Sequence, residues 1–217
     1  MSRRSYDQFC AVAQALDQIG ERWTLLLIRD LLPGPARFGD LMKSLPGLAS
    51  NLLTQRLRSL EEHGLVVQDT LPPPAGVRVY RLTAQGRALT PTIEALASWG
   101  MGLMQGAEYR DPGNVRSLAC ALGVILRPRA MTGDNLRLTL RIAEQDVSCT
   151  IRDGDADIHL GPAIEPQATV SCDYSLAFRF VGGIDSIGAA IRRNEAALIG
   201  DAAAVDLLDL IRERPAT

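Results

Sequence analysis

The chain has 217 residues, 47% apolar and 22% charged, with a formal net charge of -2. This excludes wholesale disorder and allows a sizeable core in one large or two small domains. The 4 Cys (Cys10, Cys120, Cys149, Cys172) form no C-x-x-C pair and have only His63 and His159 beside them, which argues against a disulfide scaffold or a structural zinc site and fits a reducing, cytoplasmic setting.

Residues 10–19 read as a short helix with Cys10, Ala13 and Leu16 on one face, ended by Gly20. In Glu21–Leu32, Trp23, Leu26, Leu27 and Leu31 follow helical spacing, and Leu25, Ile28 and Leu32 widen the apolar face toward a core position. Pro33-Gly34-Pro35 stops that helix. Phe38, Leu41, Met42 and Leu45 mark a third helix, broken by Pro46-Gly47. A fourth covers about 50–62, with Leu53, Leu57 and Leu60 as its inner stripe and Gly64 at its end. At 100° per residue, Asn51, Gln55, Arg58 and Glu62 point the other way, with Thr54 and Ser59 on the flanks.

Two short strands follow, Leu65–Gln68 and Val77–Leu82, joined through Pro72-Pro73-Pro74-Ala75-Gly76. Thr83 reads as the N-cap of a helix running to about Met104, with Pro91 predicting a kink or break inside it. Helix, tight turn, helix with a polar outer face, then hairpin is the order of a winged helix-turn-helix. Asn and Gln suit adenine, Arg suits guanine, and Ser or Thr suits either. The same polar face also fits a solvated helix on an ordinary α+β domain.

Charge favours a local patch over a basic protein. Residues 1–110 hold 12 Lys+Arg against 10 Asp+Glu, whereas residues 111–217 hold 11 against 15. Residues 37–87 contain Arg37, Lys43, Arg56, Arg58, Arg78, Arg81 and Arg87 against Asp40, Glu61, Glu62 and Asp69. The candidate DNA contacts are Arg37, Ser50, Asn51, Thr54, Gln55, Arg58 and, nearest the wing tip, Arg78.

A dense run of motifs resembles the HxlR-type family of bacterial transcriptional regulators. It comprises Cys10 with Ala15-Leu16, then Ile19-Gly20-Glu21-Arg22-Trp23-Thr24 through Leu31, and Gly34-Pro35-Ala36-Arg37-Phe38-Gly39-Asp40-Leu41. Leu45-Pro46-Gly47-Leu48, Leu53-Thr54-Gln55-Arg56-Leu57 through Val66, and Tyr80-Arg81-Leu82-Thr83 with Gly86 complete it, over residues 8–104. The resemblance implies a homodimer that binds double-stranded operator DNA and pairs through its terminal helices. Where that family usually has a small hydroxyl residue before the recognition helix, this chain has Ala49, a poor N-cap; Ser50 is next in line to cap. Cys10 matches a position where several members carry a redox-sensing thiol, although its place on the apolar stripe also reads as a buried small hydrophobe. Trp23 reads as core, and His63 as a helix C-terminal residue favoured by the helix dipole.

Past Asp111-Pro112-Gly113 the pattern changes. Asn114–Leu126 carries the stripe Val115, Leu118, Ala119 and Leu122, expected to pack on the winged helix or on a second subunit. Period-2 alternation then marks strands at 136–142, 147–152, 156–160 and 168–173, with Asp153-Gly154 as a hairpin turn, read together as an antiparallel meander. Tyr174–Val181, Ser186–Arg193 and Ala202–Ile211 supply covering helices, and Leu198-Ile199-Gly200-Asp201 suits a fifth strand. Gly161 after a strand, Asp173 before a helix, the Gly182-Gly183 break and Leu198-Ile199-Gly200-Asp201 before a terminal helix resemble the sterol-carrier-type lipid-binding fold. That likeness implies an apolar tunnel between sheet and helices. Its candidate lining is Leu138, Leu140, Ile151, Ile158 and Val170 from the sheet, with Phe178, Val181, Ile187 and Ile191 from the helices. A fully packed core serving dimerisation is the competing reading.

The expected fold class is α+β: a winged helix-turn-helix over 1–106, then a domain over 114–217 in which short helices cover an antiparallel sheet. The expected function is a cytoplasmic DNA-binding regulator, open to modulation by an apolar small-molecule effector. The alternative is a lipid or hydrophobic-ligand carrier whose winged helix serves protein contacts. Walker, G-x-G-x-x-G, H-E-x-x-H and G-x-S-x-G motifs are absent, so neither an enzyme nor a cofactor or metal is expected. Asp153, Asp155 and Asp157 lack the spacing and Glu of a calcium loop. No apolar run approaches the roughly 18 residues of a membrane-spanning helix, and no signal-peptide core follows Met1.

Overall fold

The computed structural model describes residues 5–104 and 114–216. The chain forms two compact units, Met1–Ile93 and Glu94–Thr217. The expected boundary around 106–113 lies outside the described residues.

The first unit is built on α1 (Ala11–Ile19), α2 (Thr24–Leu31), α3 (Phe38–Ser44) and α4 (Ser50–Glu62). Helix α2 starts three residues later than periodicity suggests, because Trp23 has a left-handed backbone (φ 79) that turns the chain before Thr24. Leu27, Ile28 and Leu31 are fully buried, while Leu26 remains 40% exposed, so this helix is amphipathic rather than apolar all round. Strands β1 (Val66–Thr70) and β2 (Arg78–Leu82) pair antiparallel, with Val66 opposite Leu82 and Thr70 opposite Arg78. Ala36, between α2 and α3, bridges to Tyr80 of β2 in both directions (2.8 and 3.0 Å), fixing the hairpin against the helices. Thr83 caps α5 (Ala84–Arg87), its hydroxyl accepting the Gly86 N–H at 3.1 Å. The break expected from Pro91 falls just before it, and the chain resumes as α6 (Thr90–Met101).

In the second unit, α7 (Val115–Leu126) precedes β3 (Asn135–Ile142), β4 (Gln145–Arg152), β5 (Asp155–Leu160) and β6 (Ala168–Cys172). Then come α8 (Tyr174–Val181), α9 (Ile187–Arg192), β7 (Ala197–Gly200) and α10 (Ala202–Glu213). Asn114 caps α7, and Asp173, Ser186 and Asp201 cap the later helices with side-chain oxygens. The stripe of α7 is not held for the winged helix or a second subunit. Val115, Leu118, Ala119 and Leu122 join the core of this unit with Ile125 and Leu126, against the inner row Leu136, Leu138, Leu140 and Ile142 of β3.

The sheet runs β5-β4-β3-β6-β7 and is mixed, which corrects the antiparallel meander. Strands β3, β4 and β5 do form a meander, but β6 lies parallel to β3. The link at 161–167 carries the chain back along the outer face. Ala163 N–H donates to the Thr139 hydroxyl at 3.0 Å, and Gln167 exchanges bonds with the Arg137 backbone at 2.7 and 2.8 Å. Those bonds set β6 beside β3 in the same direction. The fifth strand is present and pairs antiparallel with β6, Val170 facing Leu198.

Candidate nucleic-acid interface

The helix-turn-helix is held from beneath by a buried acid. Asp30 on α2 is fully buried, accepts from Ser44 Oγ of α3 at 2.5 Å, and pairs with the adjoining Arg29 at 2.7 Å. Charge-assisted bonds of this kind fix relative helix positions more sharply than apolar contact does. Helix α3 opens where the Arg37 N–H meets the Asp40 carboxylate at 3.0 Å. Between α3 and α4 the chain turns at Gly47, whose φ of +88 favours glycine. The Trp23 ring sits beside this turn, and Arg22 lies over the ring with its guanidinium carbon 5.2 Å from the centroid.

Helix α4 buries Leu53, Leu57 and Leu60 and exposes Asn51, Thr54, Gln55, Arg58 and Glu62 on the other side. Its N-cap position is Ala49, with no side-chain cap; Ser50 is the first helical residue and does not cap in its place. The Ser50 carbonyl instead accepts from the Thr54 hydroxyl at 2.9 Å. That hydroxyl proton is therefore committed to the helix, and Thr54 offers lone pairs outward. Arg58 Nε meets Glu62 Oε1 at 3.0 Å along the same face.

The cations of this unit divide into two sets. Arg56 is only 13% exposed, pairs with Glu21 at 2.8 Å and donates to the Arg22 carbonyl, so it ties α4 to the segment that leads into α2. Arg81 pairs with Asp69 across the wing at 2.7 Å, and its hydrogen bond holds the Asp69 carboxyl below the usual aspartate range. Arg37, Lys43, Arg78 and Arg87 are exposed and have no ionic partner among the described residues. Arg78 stands at the outermost paired position of the wing. Sequence distance hid this division, since Glu21 and Arg56 lie 35 positions apart.

Two readings at the edges of this unit change. Cys10 occupies the N-cap of α1 in an extended conformation and is exposed, because it precedes the helix instead of lying on its stripe. His63 does end α4, but both ring nitrogens are buried without a hydrogen-bond partner among the described residues. Its ring is turned inward rather than toward solvent, while the residue keeps its expected place at the helix C-terminus.

Residues 18–108 match the HxlR-like helix-turn-helix family. An HTH-type transcriptional regulator of Synechocystis sp. is 36% identical over 91 residues, 42% of this chain and 67% of that protein. The HTH-type transcriptional regulator YvaP of Bacillus subtilis is 35% identical over 99 residues, 46% of this chain and 86% of that protein. The chain belongs to the HxlR-like helix-turn-helix family. Among solved structures, the redox regulator HypR in its reduced form is 29% identical, covering 44% of this chain and 95% of that one, with a TM-score of 0.41.

The HxlR-like match ends at residue 108, so the second unit from α7 onward lies outside it. There the residues expected to line a tunnel are mostly core. Leu138, Leu140, Ile151, Ile158, Val170 and Ile187 are at most 3% exposed. Phe178, Val181 and Ile191 sit half-buried at the margin. The face of α8 that points inward is Leu176, Ala177 and Phe180, so Phe180, not Phe178, is the aromatic of this core. Beside it lies a void of about 10 Å³, lined among others by Leu118, Leu140, Cys172 and Phe180, at the lower limit for holding one water. Asp153, Asp155 and Asp157 are exposed around the β4–β5 turn. No group of His, Cys, Asp and Glu among the described residues could hold a metal ion, and no helix among them is long and apolar enough to cross a membrane.

Proposed function

We propose that this HxlR-like protein is a transcriptional regulator that binds operator DNA as a homodimer. The observation that carries the reading is the outward row of α4, Asn51, Thr54, Gln55 and Arg58, opposite a buried leucine row and accompanied by Arg37 and Arg78, which have no ionic partner among the described residues. In this reading α4 enters the major groove and meets base edges, while Arg37 and Arg78 contact phosphates and set register. Ser50, whose carbonyl is used by Thr54, contributes from the first turn. Relatives described as transcriptional regulators support the same class over residues 18–108.

Pairing of two chains is supported by apolar side chains left in solvent. On α1 and before it, Phe9, Val12 and Leu16 are exposed; on α6, Leu96 and Trp99 are exposed. Dimers of this kind meet half-sites one helical turn apart, about 34–36 Å. Footprinting on the DNA upstream of the neighbouring gene tests the reading. It expects two protected half-sites at that spacing and a sedimentation mass of two chains. Equal protection of random duplex, or a monomer at micromolar concentration, would overturn it.

The exposure of Cys10 supports a redox-sensitive thiol in the first unit. For the second unit, the sterol-carrier likeness and an apolar effector require the core around Phe180 to open, since a void of about 10 Å³ admits no such ligand at rest. Titration of fatty acids and apolar aromatics, read as a shift in Tm, tests that role; no shift from any of them leaves the packed unit as a dimer support.

A further inference from the structure

The outward row of α4 contains one acid, and its presence needs a reason. Glu62 stands one helical turn after Arg58, with Oε1 accepting from Nε at 3.0 Å; the two side chains are 63% and 80% exposed. An exposed pair of this kind adds little to stability. A carboxylate on a face that meets phosphates weakens binding to any sequence. Neither helix stability nor DNA affinity accounts for it.

We infer that Glu62 is a positioning residue for base discrimination: it holds Arg58 by Nε, presents the Nη1/Nη2 end to a guanine, and keeps this arginine off the phosphates. The inference rests on the reading of α4 as the base-reading helix. A guanidinium carries five N–H donors in a rigid fork. With Nε engaged, the end of the fork still offers two parallel donors, the pattern that guanine N7 and O6 accept. A long unpaired arginine on the same face instead has phosphates within reach, and those contacts carry no sequence information.

The distribution of charge in the unit agrees. Arg37, Lys43, Arg78 and Arg87 have no ionic partner among the described residues and suit phosphates. Arg56 and Arg81 are tied to Glu21 and Asp69 away from the outward row of α4. Among the described residues, Arg58 is the arginine that is both on that row and paired. Glu62 thus trades affinity for selectivity, a form of specificity that works by making wrong contacts unfavourable.

The test uses full-length protein. Wild type selects its operator from random duplexes; affinities for that operator, for single base-pair variants and for random duplex are then measured across a salt series. Glu62→Ala is expected to lose on the order of tenfold in preference for guanine at one position per half-site. It should also bind random duplex more tightly, with a salt slope steeper by about 0.9 as the freed arginine takes a phosphate. Glu62→Gln, which keeps an acceptor for Nε without the charge, should restore the guanine preference. Arg58→Ala should lose that preference and gain no affinity for random duplex. If Glu62→Ala keeps both preference and slope while Arg58→Ala loses the preference, the positioning role is overturned and the reading of α4 stands. Loss of the preference in Glu62→Gln would overturn it as well. If wild type selects no sequence, the reading of α4 itself fails. Melting curves check that each variant is folded.

Discussion

Thr83 Oγ1 donates to the Gly64 carbonyl at 2.6 Å, joining the end of the wing to the end of α4. The same oxygen accepts from Gly86 N–H, and a Cβ on Gly86 would lie 2.1 Å from the Leu65 carbonyl oxygen. Backbone meets backbone there with no room for a side chain. Gly86→Ala is expected to destabilise the first unit by about 1–3 kcal/mol through forced separation. Urea unfolding followed by Trp fluorescence measures it; an unchanged midpoint would show that the contact relaxes freely.

The two faces of α4 should separate stability from recognition. Leu57→Ala removes a side chain that is 1% exposed and is expected to cost about 2–5 kcal/mol of folding stability. Gln55→Ala, on the exposed face, should leave the melting temperature within error and alter base preference at one position. A Gln55 variant with wild-type preference at every operator position would remove this residue from the reading set.

Unpaired and paired arginines should differ in salt dependence. Arg37→Ala and Arg78→Ala are each expected to reduce the salt slope by about 0.9 and to weaken all sequences alike. Arg81→Ala, whose guanidinium is already held by Asp69, should change the slope far less. Equal slopes for Arg78→Ala and Arg81→Ala would mean that the ion pair opens on DNA.

Thiol reactivity should follow burial. Cys10 is exposed. Burial pushes the Cys149 thiol up to about 12 and the Cys172 thiol up to about 11. At pH 8 the thiolate fractions of those two are about one in ten thousand and one in a thousand, so alkylation of native protein should mark Cys10 well before either. Peptide mapping after brief labelling reads this directly, and early modification of Cys149 would contradict the packing of β4.

Acid should loosen the second unit at Asp134. Its carboxylate receives Arg214 Nη2 at 3.0 Å and a second bond from Nη1, and that bonding holds the carboxyl below its ordinary value. A lowered folded-state pKa means that the unfolded chain binds more protons through this interval. The stabilisation is therefore complete above about pH 4 and fades as pH falls further. Asp134→Asn should be less stable than wild type at pH 7, with the gap narrowing below pH 4. A gap of constant size would assign the effect to something other than ionisation.

Much of this molecule was legible in its side-chain periodicity, for local reasons. Leu53, Leu57 and Leu60 announce the buried face of α4, Thr83 announces a cap, and Asp153-Gly154 announces a two-residue turn. The partner of a strand has no such local mark. Alternation in 168–172 tells which face is buried but not that β6 lies beside β3. The β3–β4 turn uses Ala143 and Glu144, both at positive φ (46 and 68), and neither residue type advertises that conformation. In the interface, the outward row of α4 follows from helix geometry. The sorting of cations does not, because Arg56–Glu21 and Arg81–Asp69 are made by the tertiary fold.

The crossover at 161–167 also sets an order of events. Strands β3, β4 and β5 meet their neighbours through tight turns, whereas Leu138 of β3 pairs with Ala168 of β6, 30 positions on. Until that strand arrives, one whole edge of β3 is open, and an open edge is a template for another chain. Long-range pairings form late. A ribosome making this protein thus exposes that edge of β3 before its partner strand exists, and the nascent chain is most prone to self-association between the completion of β5 and the docking of β6.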